Sequence, residues 1–512
     1  MSQNLASKTA TGVQWSTIST IFNAVMQLGY GAIMARLLDP AEFGLVAIMH
    51  VVLRFVDYFA KMGMSQAIIQ KKELSNYEVR AGFTLSFFLG LFSMVLVYFL
   101  APFVTEFFDN ERLVSVIRYA SVSFLIQGIS STAISLLTRE LEFKKLAIIT
   151  IVSYIIGYLC IGVTMAIYDF GVYSLITAMM SQVLLNGIFS YAVSRHSVLF
   201  IFKKQYFMSL LSYGSKMSVI SFLDFINLSL DKLLIEKFLG TSLLGFYDRA
   251  TQLVYLPMYN LSTSLSKVML PSFSKIQDDL KKLGKTYQGI ISGISALNLP
   301  LCVFVILTAE DIINLFLGDG WEKSIPILKI MALGVSLRMI NMFAGVICDA
   351  TANLRIRMIN NIYQMVILCV SFYFLMDLGL IGFAFAVVIT QIANTIFYLF
   401  VMNSILKVSI PSLIGAFSTG IIISLITGAI TYATVSFAEY LELPLLIKFG
   451  VEGVVFVIAF VISLMFNPPK EVLHHLIRLV NKQDARFEKN FMSKYYLNYK
   501  FFLEEKLKKH SL

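Results

Sequence analysis

Charged side chains make up only 14% of this 512-residue chain, against about 25% in soluble globular domains. That shortage excludes a water-exposed globule. Cysteine is nearly absent. Cys160, Cys302, Cys348 and Cys369 all fall inside or at the end of apolar segments, with no close pair and no metal-ligand spacing. This excludes a disulfide scaffold and a zinc site, and the four read as buried small hydrophobes. No GxxxxGK[ST] sequence occurs, so no P-loop is expected. The start Met1–Ala10 holds one basic residue, Lys8, and no cleavable signal peptide is evident. Long polar loops are missing too. The largest outer loop, near Glu310–Lys323, is roughly fifteen residues, too short for a separate domain.

What the chain has instead is apolar length. Hydrophobic residues are 57% of it and the mean hydropathy is +0.77. Fourteen long apolar segments can be read, and each span needs about 20 residues. The fold class is therefore all-α: a polytopic membrane protein with about fourteen transmembrane helices. Lys and Arg alternate between rich and poor loops. Of the 41 basic residues, 29 fall on the side of the N-terminus and tail, six on the opposite side and six inside spans. The positive-inside rule then puts both termini in the cytoplasm and accounts for the net charge of +10 without nucleic acid.

An internal repeat divides the spans. Ala35–Leu45 leads from the first into the second, and Glu236–Phe246 leads from the seventh into the eighth. The two align without gaps at an offset of 201, with Leu38 on Leu239, Gly44 on Gly245 and Arg36 on Lys237. Six spans per copy is an even number, which gives a parallel repeat. The expected organisation is an N-lobe at 1–205, a C-lobe at 206–405, an extra helix pair at 406–466 and a basic cytoplasmic tail at 467–512. The tail reads as the end of the charge pattern, or as a helix docking on anionic lipid.

A charge at a span centre costs roughly 2.5–3.5 kcal/mol on translocon scales, so it should face a cavity or a partner. In the second span His50, Arg54, Asp57 and Lys61 lie within about 60° of arc. In the seventh, Lys216, Asp224, Asn227 and Asp231 share a face, and in the first Ser16, Thr20, Asn23 and Gln27 form a stripe. Arg249, Gln252, Tyr255 and Tyr259 add a less clean face on the eighth, and Arg338, Asn341 and Asp349 one on the tenth. Arg118 in the fourth span stands alone.

The expectation is a water-filled cavity between the lobes. Arg54, Lys216, Arg249 and Arg338, with Arg118 as a further candidate, would form a ladder of cations for an anionic substrate. Arg is suited to phosphate because its fork binds bidentately. Ser16, Thr20, Asn23, Gln27, His50, Asn227, Gln252, Tyr255, Tyr259 and Asn341 would line the cavity and contact sugar. The alternative is that the same charges are internal ion pairs locking helices. Arg54 with Asp57, and Asp248 with Arg249, have the spacing for it. Asp57, Asp224 and Glu452 are candidates to bind a coupling proton or sodium ion. No other cofactor and no metal is expected.

Several segments resemble Wzx-type polysaccharide exporters. They are Gly12-Val13-Gln14-Trp15-Ser16, Ala35–Pro40 with Glu42–Leu45, and Gly63 with Ala67–Gln70. Arg139–Ala147 and Gly245–Ala250 continue the likeness. The nearest subgroup is that of colanic-acid and teichuronic-acid exporters, within the superfamily of multidrug and toxin extruders and the lipid II flippase MurJ. The resemblance implies a two-lobed, alternating-access flippase in the bacterial inner membrane and not an enzyme. Its implied cargo is an undecaprenyl-pyrophosphate-linked oligosaccharide, with the bilayer, a polysaccharide polymerase and chain-length machinery as candidate partners. The competing readings are a cation-coupled multidrug exporter and a membrane-embedded polysaccharide polymerase or ligase. The basic residues argue against the first, and the short loops, poor in His and paired carboxylates, against the second.

Overall fold

In a computed structural model of the chain, the structure describes residues 2–60, 68–69, 74–203, 218–276, 279–351 and 353–467. The basic tail expected after residue 467 lies outside them. Fourteen long helices follow one another: α1 Ser2–Ala35, α2 Pro40–Ala60, α3 Asn76–Phe108, α4 Arg112–Arg139, α5 Phe143–Ile167, α6 Val172–Ser194, α7 Ser218–Leu239, α8 Thr241–Lys275, α9 Leu280–Leu307, α10 Ser324–Ala350, α11 Leu354–Leu375, α12 Gly379–Leu406, α13 Ser418–Tyr440 and α14 Leu445–Phe466. Each matches one span read from the apolar pattern. Ten described stretches are long and apolar enough to cross a membrane, one of them, Arg355–Leu406, holding both α11 and α12.

The helices are built for lipid. On α3, Phe92, Phe99, Phe103 and Phe107 point outward, while Gly90, Ser93, Val97 and Ala101 are buried. Small residues inside let backbones approach where no hydrophobic effect drives helices together. Gly90 meets Gly128 of α4 in this way. Some buried α4 hydroxyls are satisfied locally, with Ser130 donating to Ile126 O and Ser135 to Ser131 O, both at 2.7 Å. α3 starts on a capping box in which Ser75 N donates to Glu78 Oε2 at 2.9 Å.

The same inversion corrects one sequence expectation. Cys302 and Cys348 are buried, but Cys160 and Cys369 are exposed on helix faces. Apolar periodicity cannot separate a lipid-facing side chain from a core one, because both surroundings are apolar.

Packing divides the chain into two compact units. One comprises Met1–Leu253, Phe316–Ser324 and Phe372–Phe383, the other Val254–Leu315, Ile325–Ser371 and Ala384–Leu512. In the first, α4 packs on α3 and α6, α1 on α5, and α7 on α2. In the second, α13 packs on α9 and α14, and a separate core gathers Tyr287 of α9, Phe343 and Ile347 of α10, and Tyr398 and Met402 of α12.

The repeat has a structural counterpart inside the first unit. A Cβ on Gly44 would lie 2.0 Å from Thr241 O, and a Cβ on Gly245 would lie 1.8 Å from Pro40 O. Pro40 and Thr241 are themselves repeat partners at the offset of 201. The two motifs thus clasp each other reciprocally, each glycine against the first residue of the other helix. Trp321 closes the same place. Its ring lies 5.5 Å from those of Phe43 and Phe246, and its Nε1 donates to Ala35 O at 3.0 Å.

Candidate functional site

A cavity of about 310 Å3 opens within the first unit. α1 supplies Asn23, Gln27, Tyr30 and Gly31, and α2 supplies Phe43, Val46 and His50. Tyr154 and Tyr158 come from α5, Leu175, Met179 and Gln182 from α6, and Arg249 and Gln252 from α8. The structure therefore brings together five sequence candidates, Asn23, Gln27, His50, Arg249 and Gln252, from three separate polar faces. No carboxylate is among the described residues that line the space.

Arg249 supplies the fixed charge. Its Nη2 donates to Asp248 Oδ2 at 2.7 Å, and its guanidinium lies 4.7 Å from the centroid of the Phe43 ring. Asp248 is 8% exposed and also receives Lys232 Nζ at 2.5 Å. Two cations thus share one carboxylate, and a net positive charge remains beside the cavity. Arg249 is both an ion-pair member and a cavity wall. Its Nε is buried without a hydrogen-bond partner among the described residues. Asp231, one residue before Lys232, accepts from Tyr247 Oη at 2.7 Å and fixes α7 against α8.

The aromatic side of the cavity escaped the charge-based reading. Tyr154 and Tyr158 stack with centroids 4.4 Å apart, and Tyr30 meets Tyr158 edge-on at 4.8 Å. A signal for Tyr30 was present, since it extends the α1 stripe by three residues beyond Gln27. Tyr154 and Tyr158 gave none, because α5 turns π-helical over Ile155–Gly162 and shifts the periodicity. Such stretches recur at functional sites.

The remaining candidates lie elsewhere. In the first unit Arg54 is exposed on α2 and makes no ion pair with Asp57 or any other described carboxylate. Asp57, Asp224 and Asn227 are half-buried and engaged with neighbours, and Thr20 is exposed and engaged. Lys216 lies outside the described residues, as does the side chain of Ser16. Arg118 is not among the cavity-lining residues. It donates from Nε to Tyr98 O at 3.3 Å and sits 4.5 Å from that ring's centroid.

In the second unit Arg338 is half-buried and engaged. Tyr255 and Tyr259 stack at 4.9 Å. Asn341 is occupied in joining α10 to α12, donating to Gln391 O at 3.2 Å and accepting from Thr395 Oγ1 at 3.1 Å. Asp349 pairs with Arg357. Glu452 is fully buried with neither carboxylate oxygen hydrogen-bonded among the described residues.

Comparison with known proteins adds to this geometry. Residues 33–326 match the family described as polysaccharide biosynthesis protein. The chain is 25% identical over 412 residues to the lipopolysaccharide biosynthesis protein WzxC of Escherichia coli (strain K12), covering 78% of this chain and 82% of that one. It is 25% identical over 337 residues to the teichuronic acid biosynthesis protein TuaB of Bacillus subtilis (strain 168), covering 64% and 68%. Among solved structures it resembles the lipid II flippase MurJ in an inward closed conformation. The TM-score is 0.67 at 16% identity, over 88% of this chain and 99% of that chain. An inward-facing MATE family multidrug transporter of the MOP superfamily gives 0.58 at 15% identity, over 78% and 99%. The multi-pass helical fold is thus that of MurJ and MATE proteins.

Proposed function

From the premise that the chain belongs to the polysaccharide biosynthesis protein family, we propose that it flips an undecaprenyl-pyrophosphate-linked oligosaccharide across the bacterial cytoplasmic membrane. The unit would pass from the inner to the outer leaflet by alternating access and feed assembly of a surface polysaccharide. The observation that carries this reading is Arg249, a guanidinium that lines a cavity with no carboxylate among its described lining residues. Charge-assisted bonds from Arg to phosphate oxygens are roughly twice as strong as neutral ones. A cavity without a carboxylate is a poor receptor for a cationic drug, which argues against the multidrug alternative. Arg54, with no described ion pair, is a further cation available to the diphosphate. Asp57, Asp224 and Glu452 are the carboxylates offered to a driving proton or sodium ion.

Arg249→Gln tests this. Asp248 keeps Lys232 as its counterion in that variant, so the fold should survive. Cells carrying it in place of the wild type should export at least about tenfold less polysaccharide at normal protein level. Lipid-linked oligosaccharide should accumulate on the cytoplasmic side, and Arg249→Lys should recover part of the flux. Normal surface polysaccharide in Arg249→Gln cells would remove the basis for the proposal.

A further inference from the structure

The end of the first unit that the charge pattern places outside is held by more than the glycine clasp. Arg112 Nη2 donates to Glu42 Oε1 at 2.7 Å. Asn110, in the turn between α3 and α4, donates to Thr241 Oγ1 at 2.7 Å and to Glu236 Oε1 at 3.4 Å. Thr241 Oγ1 in turn donates to the same Oε1 at 2.7 Å. Glu236 thus joins the last turn of α7 to the first residue of α8 and to the α3–α4 turn. Thr241 is also the residue against which Gly44 closes.

This carboxyl is badly placed to be an anion. Glu236 is 3% exposed, and its Oε2 is buried with no hydrogen-bond partner among the described residues. The side chains acting on it are neutral, the Asn110 amide and the Thr241 hydroxyl. Cations on the neighbouring connections are engaged elsewhere. Arg112 is held by Glu42, Lys237 donates to Phe107 O and sits over that ring, and Lys323 lies over the Phe246 ring. Arg36 lies against Gly318. Asp109 and Glu111 flank Asn110 and bring no compensating charge. A buried carboxylate without a cation is far costlier than a buried neutral carboxyl with one bond unmade. Burial pushes the Glu236 carboxyl above the usual carboxylate range, against the pull of its two hydrogen bonds. Oε2 has almost no accessible surface, so no ligand or metal ion reaches it. A proton is what can be added there.

We propose that Glu236 is a proton-operated latch on the outer closure of this unit, neutral while the clasp is shut and ionised once the clasp opens and water reaches it. The inference rests on the alternating-access reading above and adds what biases one of its two states. The sign follows from linkage. The shut form binds the proton and the open form, with a hydrated carboxyl, releases it. Shutting is therefore favoured at low pH and weakens as pH rises. The proton enters and leaves on one side, so the latch makes the closure respond to external pH and carries no proton across the membrane. That separates it from a driving ion at Asp57, Asp224 or Glu452. Glutamine would offer Asn110 and Thr241 the same acceptor, so a purely structural tie has no use for an ionisable group.

The experiment uses the full chain with Trp15→Phe, in lipid nanodiscs and without substrate. Trp321, packed on Phe43 and Phe246, reports the closure through its quenching by acrylamide. The titration runs from about pH 5 to 9, which spans an ordinary carboxyl and a deeply buried one. The ratio of accessible to shielded Trp321 should rise with pH, by up to about tenfold per unit where one proton is released. Glu236→Gln should stay shielded throughout. Glu236→Met, of similar length and unable to ionise, should also lose the pH response. Infrared difference spectra over the same titration should show a protonated-carboxyl band that fades as pH rises and is missing from Glu236→Gln. Quenching of the wild type that does not change with pH overturns the latch. So does a Glu236→Gln or Glu236→Met variant that keeps the wild-type response, or a wild type whose infrared band is unchanged by Glu236→Gln. No cargo enters the measurement, so a failure of the export test leaves this result standing, and a failure here leaves the export test standing.

Discussion

Asp248→Asn is expected to destabilise the protein by about 3 kcal/mol, the lower end of the range for breaking a buried ion pair. The side chain is nearly isosteric, so packing alone gives no reason for a large effect. Charge does. Lys232 and Arg249 approach the same carboxylate at 2.5 and 2.7 Å, with side-chain exposures of 28% and 16%. Without it two cations stand together with no counterion between them. Adding Lys232→Met removes one of these cations and should recover more than half of the loss, a coupling that independent sites do not show. Thermal unfolding of the purified wild type, the two single variants and the double variant measures it. A Tm for Asp248→Asn equal to that of the wild type would show that the triad is not structural. The contrast with Arg249→Gln is informative. That change should spare stability and remove transport, because Asp248 retains Lys232.

The architecture was legible because lipid enforces long apolar helices, and each of the fourteen segments holds a helix among the described residues. Packing faces were less legible. Cys160 sits in as apolar a segment as Cys302, yet one faces outward and the other the interior. The polar candidates divide on physical grounds. Arg249 and Asn23 were readable because a charge or amide in a span needs a reason to be there. Asn341 looked the same in sequence, but its amide is consumed by Gln391 and Thr395, partners about fifty residues away that no helical wheel reveals. Tyr158 failed for the opposite reason. A tyrosine in an apolar span is ordinary, and the π-helical turn that aims it is a property of the backbone. Trp321 lies in a loop and bonds to Ala35, 286 positions earlier, beyond the reach of any local pattern.

Gly245→Ala and Gly44→Ala should each have effects out of proportion to one methyl group. In an open helix Ala is favoured over Gly by about 1 kcal/mol, and Gly453→Ala, whose Cβ would meet nothing within 4 Å, should be neutral or mildly stabilising. At Gly245 the new carbon would fall 1.8 Å from a backbone oxygen, and at Gly44 2.0 Å. Backbone cannot rotate aside as a side chain can, so α2 and α8 must separate. Overpacking of this kind typically costs about 1–3 kcal/mol. Separation would also loosen Phe43 and Phe246 from Trp321. The chain has two tryptophans, Trp15 and Trp321, so a Trp15→Phe background makes Trp321 the sole reporter. Gly245→Ala should red-shift its emission, raise its quenching by acrylamide and lower Tm, and Gly44→Ala should do the same. The double variant should fall well short of the sum, since one separation relieves both clashes. Full additivity would mean that the two glycines act independently and that the reciprocal clasp is not one contact. Unchanged Trp321 emission in both single variants would mean that the motifs do not meet in the folded protein at all.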